Sequence, residues 1–134
     1  MKYLLDTCVL SDFARGDAHT LTHVKTMSPA RIGVSSVSLM EIEFGLALNS
    51  ARARKLAPVM HALFQAVSIL PYGPEDARAT ATLRASLQKR GRPIGAYDAL
   101  IAGCALARGL VLVTSNEREF RRVSGLPVEN WRKR

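Results

Sequence analysis

Residues 97–113 read YDALIAGCALARGLVLV, and this stretch decides the fold class. Its first part predicts a helix over 97–108 that is apolar on every side after Asp98, which is typical of a buried helix. Gly109 ends this helix, and residues 110–113 form an unbroken apolar run of the kind found in parallel strands. A buried helix followed by a buried strand indicates an α/β domain whose sheet is covered on both faces.

The same alternation of helix and strand extends outward along the whole chain. Strands are predicted at 3–5, 31–35, 67–70, 110–113 and from Val128 onward. Helices are predicted at 7–14, 19–27, 38–48, 51–67, 74–90, 97–108 and 116–123. Pro58 lies within one of them and is expected to kink or split it. The pattern predicts one three-layer α/β/α domain over residues 1–134 with a mainly parallel sheet.

The chain is strongly basic, with 19 Lys and Arg against 11 Asp and Glu and a net charge of +8. This excess favours a polyanionic partner, with nucleic acid ahead of an anionic membrane. No apolar run approaches the roughly 20 residues of a membrane span, and the first residues lack a secretory signal. We therefore expect a cytoplasmic protein without a membrane partner. The spacing of Cys8 and Cys104 predicts neither a zinc site nor a structural disulfide.

Four carboxylates follow the predicted strands or open the helices after them: Asp6, Glu41, Asp98 and Glu119. Ligand sites of open parallel sheets lie beyond the carboxyl ends of the strands, so these side chains are expected to converge there. Gathered carboxylates repel one another unless a cation lies between them, and Mg²⁺ or Mn²⁺ suits such oxygen ligands. An acidic, metal-holding site within a basic surface favours hydrolysis of phosphodiesters by metal-activated water.

Each of these carboxylates also has a purely structural interpretation, which the residues alone leave open. Asp6 is placed to cap the helix that begins at Thr7, and Asp98 lies where the helix dipole favours a negative charge. Residues 38–41 and 116–119 both fit a capping box. The alternative hypotheses are therefore a non-catalytic basic RNA-binding module and a receiver-like phospho-acceptor domain. Metal titration separates the three.

Three blocks of the sequence, LLDT at 4–7, SSVSLME at 35–41 and GRPIGAYD at 91–98, resemble the PIN-domain ribonucleases. The ending, GLVLVTSNEREF at 109–120 and VENW at 128–131, is similar to the VapC toxins of bacterial toxin–antitoxin pairs. This resemblance covers nearly the whole chain. It implies a PIN fold with a five-stranded sheet, and a Mg²⁺-dependent endoribonuclease that cleaves structured RNA, tRNA foremost, to inhibit translation. It also implies a VapB-type antitoxin as partner and a homodimer.

The resemblance assigns catalysis and metal coordination to three residues: Asp6, Glu41 and Asp98. It assigns the lining of the site to the hydroxyl groups of Thr7 and Thr114. Many PIN domains have an aspartate where Asn116 stands, so either Asn116 or Glu119 completes the site. Cys8 departs from the asparagine usual after Asp-Thr, and a thiol does not reproduce the hydrogen bonds of an amide.

Basic residues flank the segments that carry these carboxylates. Arg90 and Arg92 come shortly before Asp98, and Arg118 lies on the helix that carries Glu119. We predict that these three arginines contact RNA phosphates, and the alternative for each is a solvated helix end. His19 and His23 are four residues apart without a third ligand nearby, which indicates a solvated helix face.

Overall fold

A computed structural model describes residues 1–132 and contains a five-stranded sheet in the order β3-β2-β1-β4-β5, with every pair parallel. Its strands are β1 (Tyr3–Leu5), β2 (Ile32–Ser35), β3 (Ser68–Leu70), β4 (Val111–Val113) and β5 (Val128–Glu129). The predicted parallel α/β sheet is confirmed. Lys133 and Arg134, which belong to the predicted domain, lie outside the described residues.

The described part of the chain has seven α-helices: α1 (Thr7–Arg15), α2 (Ala18–Lys25), α3 (Ser36–Leu48), α4 (Ser50–Ala66), α5 (Pro74–Lys89), α6 (Ala96–Arg108) and α7 (Glu117–Phe120). A 3₁₀ turn, Pro29–Arg31, precedes β2. No helix within residues 1–132 is both long enough and apolar enough to cross a membrane.

Alternate residues of the central strand face opposite layers of helices. Leu4 belongs to a core formed mainly with α5 and α6, whereas Leu5 packs with α1 and α4. The three-layer α/β/α architecture is therefore confirmed. Leu5 is paired with Val34 on one side and with Val113 on the other, so β1, β2 and β4 end at the same edge of the sheet.

Three local predictions differ in part from the structure. Pro58 does not split its helix, because it lies on the exposed side of α4, where water can satisfy the carbonyl group that the ring leaves free. Helix α3 begins two residues before 38, because the Ser35 hydroxyl caps it by accepting a hydrogen bond from Val37 N (3.1 Å). Helix α7 ends at Phe120, and turns follow it up to residue 123.

Helices α5 and α6 pack in unusually close contact. A Cβ atom at Gly103 would collide with the Thr80 side chain and would lie 3.0 Å from the Asp76 carbonyl oxygen. Beyond this crossing, Arg108 Nη2 pairs with Asp76 Oδ2 at 3.2 Å. These two contacts fix the middle and the C-terminal end of α6 against α5.

Candidate active site

Asp6 directly follows the central strand and is almost completely buried, at 3 % exposure. Its Oδ1 accepts a hydrogen bond from Val9 N (3.0 Å), so the predicted capping of α1 is confirmed. Burial raises the pKa of the Asp6 carboxyl group, although hydrogen bonds from Cys8, Thr114 and Val9 oppose the shift. The cap therefore also holds a buried carboxylate at the edge of the sheet.

The thiol of Cys8 links the ends of β1 and β4. Its Sγ atom lies 3.0 and 3.1 Å from the two carboxylate oxygens of Asp6 and 3.1 Å from Ser115 Oγ. Burial raises the pKa of this thiol, and the neighbouring negative charge of Asp6 adds to the shift. Cys8 is therefore present as a neutral hydrogen-bond donor to Asp6, in place of the amide that the resemblance leads one to expect.

Glu41 reaches the same edge from helix α3. The Thr7 hydroxyl donates a hydrogen bond to Glu41 Oε1 (2.7 Å) and lies 3.2 Å from the oxygen of the buried Ser38 hydroxyl. Helix α3 begins at Ser36, so the predicted capping box at 38–41 does not form. Glu41 instead makes a tertiary contact between α3 and the start of α1.

Asp98 and Glu119 form the other half of the site. Asp98 lies in the first turn of α6, and it shares a hydrogen bond with Glu119 of α7. Glu119 accepts hydrogen bonds from Gly95 N at Oε1 (2.7 Å) and from Asn116 Nδ2 at Oε2 (2.8 Å). The predicted capping box at 116–119 therefore does not form, because the Asn116 side chain donates to Glu119 and does not cap α7, and Asn116 N donates to Thr114 Oγ1 and not to Glu119.

The four carboxylates influence one another electrostatically. Burial, with the negative charges of Glu119, Asp6 and Glu41 as further causes, raises the pKa of Asp98 to about 7. Partial burial acts to raise the pKa of Glu119 as well, but the hydrogen bonds with Gly95, Asn116 and Asp98 and the positive charge of Arg122 together outweigh it and lower that pKa. Asp98 is therefore the carboxyl group that holds the proton shared with Glu119 when no cation is bound.

The donor set suits a hard divalent cation. Carboxylate and hydroxyl oxygens are the ligands that Mg²⁺ prefers, and Mg²⁺ is commonly bound by one or two carboxylates while it keeps several waters. Within residues 1–132, no three His, Cys, Asp or Glu side chains stand close enough together to enclose a metal ion on their own. The residues present therefore fit a partly hydrated ion and do not fit a closed structural site such as that of zinc.

The remaining predicted residues lie around this edge. Thr114 is fully buried, and its Oγ1 accepts a hydrogen bond from Asn116 N (2.9 Å). Arg92 and Arg118 are exposed. Arg90 is exposed too, but its Nη2 donates to the carbonyl oxygen of Arg122 (2.7 Å), so part of this guanidinium is engaged within the protein.

Two histidines have partners on other elements. His23 stacks on Trp131 with ring centroids 4.9 Å apart, and His61 Nε2 lies 2.8 Å from Glu43 Oε1. His19 is exposed on α2. The side-chain hydrogen bonds that these four carboxylates make within residues 1–132 involve no histidine.

Sequence reasoning missed three members of the site: Ser38, Gly95 and Ser115. Gly95 contributes a backbone N–H, which leaves no signal in the side-chain pattern. Ser115 does carry a signal, because it directly follows Thr114 at the end of a strand. The sequence predicts Ser38 as a helix cap, whereas in the structure its hydroxyl group contacts Thr7 of another helix.

Comparison with known proteins places these features in a family. The PIN domain family matches residues 3–126. The tRNA(fMet)-specific endonuclease VapC of Shigella flexneri is 35 % identical over 131 residues, which cover 98 % of each chain, and its namesake from Salmonella typhimurium is equally similar. Among solved structures, the DNA-bound VapBC complex of Salmonella typhimurium contains a chain with a TM-score of 0.88 and 36 % identity, covering 98 % of both chains.

Proposed function

Because this chain belongs to the VapC family of PIN-domain proteins, we propose that it is an endoribonuclease that requires Mg²⁺, for which Mn²⁺ can substitute. The observation that carries the proposal is the convergence of Asp6, Glu41, Asp98 and Glu119 at one edge of the sheet, where burial and the neighbouring negative charges raise the pKa of Asp98. Such mutual repulsion is relieved by a bound cation. It has no use in a protein that binds RNA only through its basic residues.

Asp6, Asp98 and Glu41 would hold the ion together with its bound water molecules, with Thr7 and Thr114 as supporting hydroxyl groups. When bound, the ion activates water and stabilises the charge on the leaving oxygen. The chain itself orients the carboxylates: Cys8 and Val9 N hold Asp6, and Thr7 holds Glu41. Of the two candidates for the fourth acidic residue of the site, Asn116 and Glu119, we choose Glu119. The Asn116 side chain donates a hydrogen bond to Glu119 and so supports it.

The substrate class follows from the relatives and from the charge. Two of them are named as endonucleases specific for tRNA(fMet), and this chain shares 35 % identity with each. The net charge of +8 suits binding to a folded polyanion such as tRNA. We propose tRNA as the substrate and the cytoplasm as the place of action.

Cleavage of a tRNA transcript by the purified chain tests this function. We expect cleavage in Mg²⁺ or Mn²⁺, its loss in EDTA, and products with a 5′-phosphate and a 3′-hydroxyl end. These ends are expected because no histidine pair stands beside the carboxylates to support attack by the ribose 2′-hydroxyl group. A 2′,3′-cyclic phosphate, or cleavage unaffected by EDTA, would contradict the proposal. Tight RNA binding without any cleavage would favour the non-catalytic RNA-binding module.

RNA binding should weaken steeply with salt, because each phosphate contact releases counterions. We expect Arg92→Ala and Arg118→Ala each to reduce the slope of log K against log salt by about one. Binding of the tRNA transcript is measured in EDTA, so that no cleavage intervenes. Arg78→Ala is the control, because this exposed arginine pairs with Glu75 near the opposite end of α5. Unchanged slopes for both variants would place the RNA elsewhere on the surface.

We further propose a VapB-type antitoxin as partner, since the similar Salmonella typhimurium chain comes from a VapBC complex. A groove between α1, α3 and α4 begins at Thr7 and Glu41, and its lining includes Ile42, Leu46 and Met60. An amphipathic helix fits such an apolar groove. A basic side chain of the antitoxin, next to this helix, would enter among Asp6, Glu41 and Asp98. Its positive charge would relieve the repulsion between these carboxylates, as a bound metal ion does.

We also propose that the protein is a homodimer. Three large apolar side chains stand four residues apart on α3 and are exposed to solvent: Met40 (41 %), Phe44 (60 %) and Leu48 (72 %). An exposed apolar stripe of this kind marks an interaction surface. Sedimentation velocity of the chain alone measures the oligomeric state, and a purely monomeric protein would contradict this proposal.

A further inference from the structure

Residues 90–95 connect α5 to α6, and this 90–95 connection is fastened to the turn that follows α7. Arg122 Nη1 donates a hydrogen bond to the carbonyl oxygen of Pro93 (3.1 Å). In the opposite direction, Arg90 Nη2 donates to the carbonyl oxygen of Arg122 (2.7 Å). Two arginines thus cross-link the connection and the turn, although 32 residues separate them along the chain.

The far end of the connection leads directly into the carboxylate site. Gly95, two residues after Pro93, donates its N–H to Glu119 Oε1 (2.7 Å). Its carbonyl oxygen accepts from Ala99 N (2.9 Å) and so starts helix α6. A Cβ atom at Gly95 would lie 3.3 Å from Asp98 Oδ2. The position of this short connection therefore determines where Glu119 and Asp98 meet.

The guanidinium of Arg122 is fixed by its surroundings. Its Nε is buried and has no hydrogen-bond partner among residues 1–132. A buried donor without a partner is rare in native proteins, because burying it costs free energy. The contacts of this group are the hydrogen bond from its Nη1 to Pro93 and the electrostatic attraction between its charge and Glu119.

We infer that Arg122 is a positioning residue for RNA cleavage: it fastens the 90–95 connection to α7 and so keeps the Gly95 N–H on Glu119 beside Asp98. The role of Arg122 in cleavage rests on the proposed endoribonuclease function. The fastening of the 90–95 connection does not depend on that function, since it concerns contacts within the free protein.

Arg122→Ala tests the inference through two readouts. Hydrogen–deuterium exchange of the Gly95 amide, measured in metal-free protein, should accelerate by at least about tenfold, because this amide loses its protection. The kcat for cleavage of a tRNA transcript should fall by about 10- to 100-fold, the size of effect that a small misplacement of reacting groups produces. The KM and the salt dependence of RNA binding should stay as in the unmodified chain.

Arg121→Ala is the matched control, because it removes the same charge from the neighbouring position. The Arg121 guanidinium pairs with Glu117 (2.8 Å), so both readouts should remain unchanged in this variant. Arg122→Lys should recover much of the protection and of kcat, since an ammonium group can also donate to the Pro93 carbonyl oxygen.

Several outcomes would overturn the inference. One is a Gly95 exchange rate and a kcat for Arg122→Ala equal to those of the unmodified chain. Another is a salt slope reduced by one with normal Gly95 exchange, which would make Arg122 a phosphate contact. If Arg122→Ala melts below the assay temperature, Arg122→Met replaces it, because methionine keeps an unbranched side chain but has no N–H donor, and normal Gly95 exchange in that variant counts against the inference. If the unmodified chain cleaves no RNA, the proposed function is wrong. The hydrogen–deuterium exchange of the Gly95 amide still tests whether Arg122 fastens the 90–95 connection to α7.

Discussion

Asp98→Asn should abolish cleavage of the tRNA transcript, with a loss of at least about 100-fold, since Asp98 is a proposed metal ligand and removing a ligand costs at least as much as removing the groups that orient one. The amide keeps the shape of the side chain but lacks the charge that attracts the cation. Asp6→Asn should have the same effect on cleavage. Asparagine caps helices as well as aspartate does, so the start of α1 is preserved in that variant.

The stability of the same variants should change in the opposite direction. The pKa of Asp98 is raised from its usual range to about 7, which means that the native state favours the protonated form. The stability that this group contributes is fully present below about pH 4 and is lost as the pH rises towards 7. In metal-free buffer, Asp98→Asn should therefore gain melting temperature relative to the unmodified chain as the pH increases from 4 to 7. Saturating Mg²⁺ should narrow the difference, because only the unmodified chain binds the ion well.

Asp17→Asn is a suitable control, because Asp17 also caps a helix but lies outside the site. Hydrogen bonds from the Thr20 hydroxyl and backbone N–H lower the pKa of Asp17, so its contribution to stability is lost as the pH falls. Its replacement should leave cleavage unchanged, and any effect on melting should appear above pH 4 and disappear in acid. Cleavage by Asp98→Asn at the normal rate, in a variant that melts normally, would show that the site is assigned incorrectly.

The second large effect concerns the antitoxin. Gly45 lines the groove between α1, α3 and α4, and a Cβ atom there would meet nothing within 4 Å. Gly45→Phe should therefore fold normally and fill the groove with an aromatic ring. We expect this variant to cleave RNA at the normal rate but to bind the antitoxin at least about 100-fold more weakly. The reason is that the amphipathic helix of the antitoxin can no longer bind in the groove.

The measurement needs the antitoxin that co-purifies with this chain when the two are produced together. Cleavage is followed while the antitoxin is titrated, and binding of Mg²⁺ to the complex is measured in parallel. Gly45→Ala is the control, since a methyl group leaves the groove open and raises helix propensity. Equal inhibition of Gly45→Phe and Gly45→Ala would show that the antitoxin docks elsewhere. A complex that binds Mg²⁺ and cleaves as the free chain does would contradict blocking of the site altogether.

Periodicity and turn chemistry were sufficient to predict the sheet, because each strand is a short apolar run between clear helix signals. They also located Asp6, which both caps α1 and belongs to the site. The start of α3 was harder to predict, because Ser35, Ser36 and Ser38 all suit a cap and only the end of β2 decides among them. Pro58 was misleading because its effect depends on which side of α4 faces water.

The electrostatics of the site could not be obtained in the same way. The shift of Asp98 depends on burial and on three carboxylates from distant parts of the chain. The bond from Gly95 to Glu119 uses a main-chain donor, and the bond from Arg122 to Pro93 uses a main-chain acceptor. In each of these contacts one partner is a main-chain group, which almost every residue type carries. Neither residue type nor spacing therefore predicts them.

The close approach of α6 to α5 has a consequence for how this protein can change over evolutionary time. Gly103 lies five residues beyond Asp98, about 7.5 Å along the helix axis. Because any larger residue would meet Thr80 and Asp76, a change there would push the whole helix outward. The acidic group at its tip would move with it. A position outside the proposed metal and RNA sites thus limits which substitutions the protein can accept, and variants that lose cleavage should arise at this buried glycine as well as at the carboxylates.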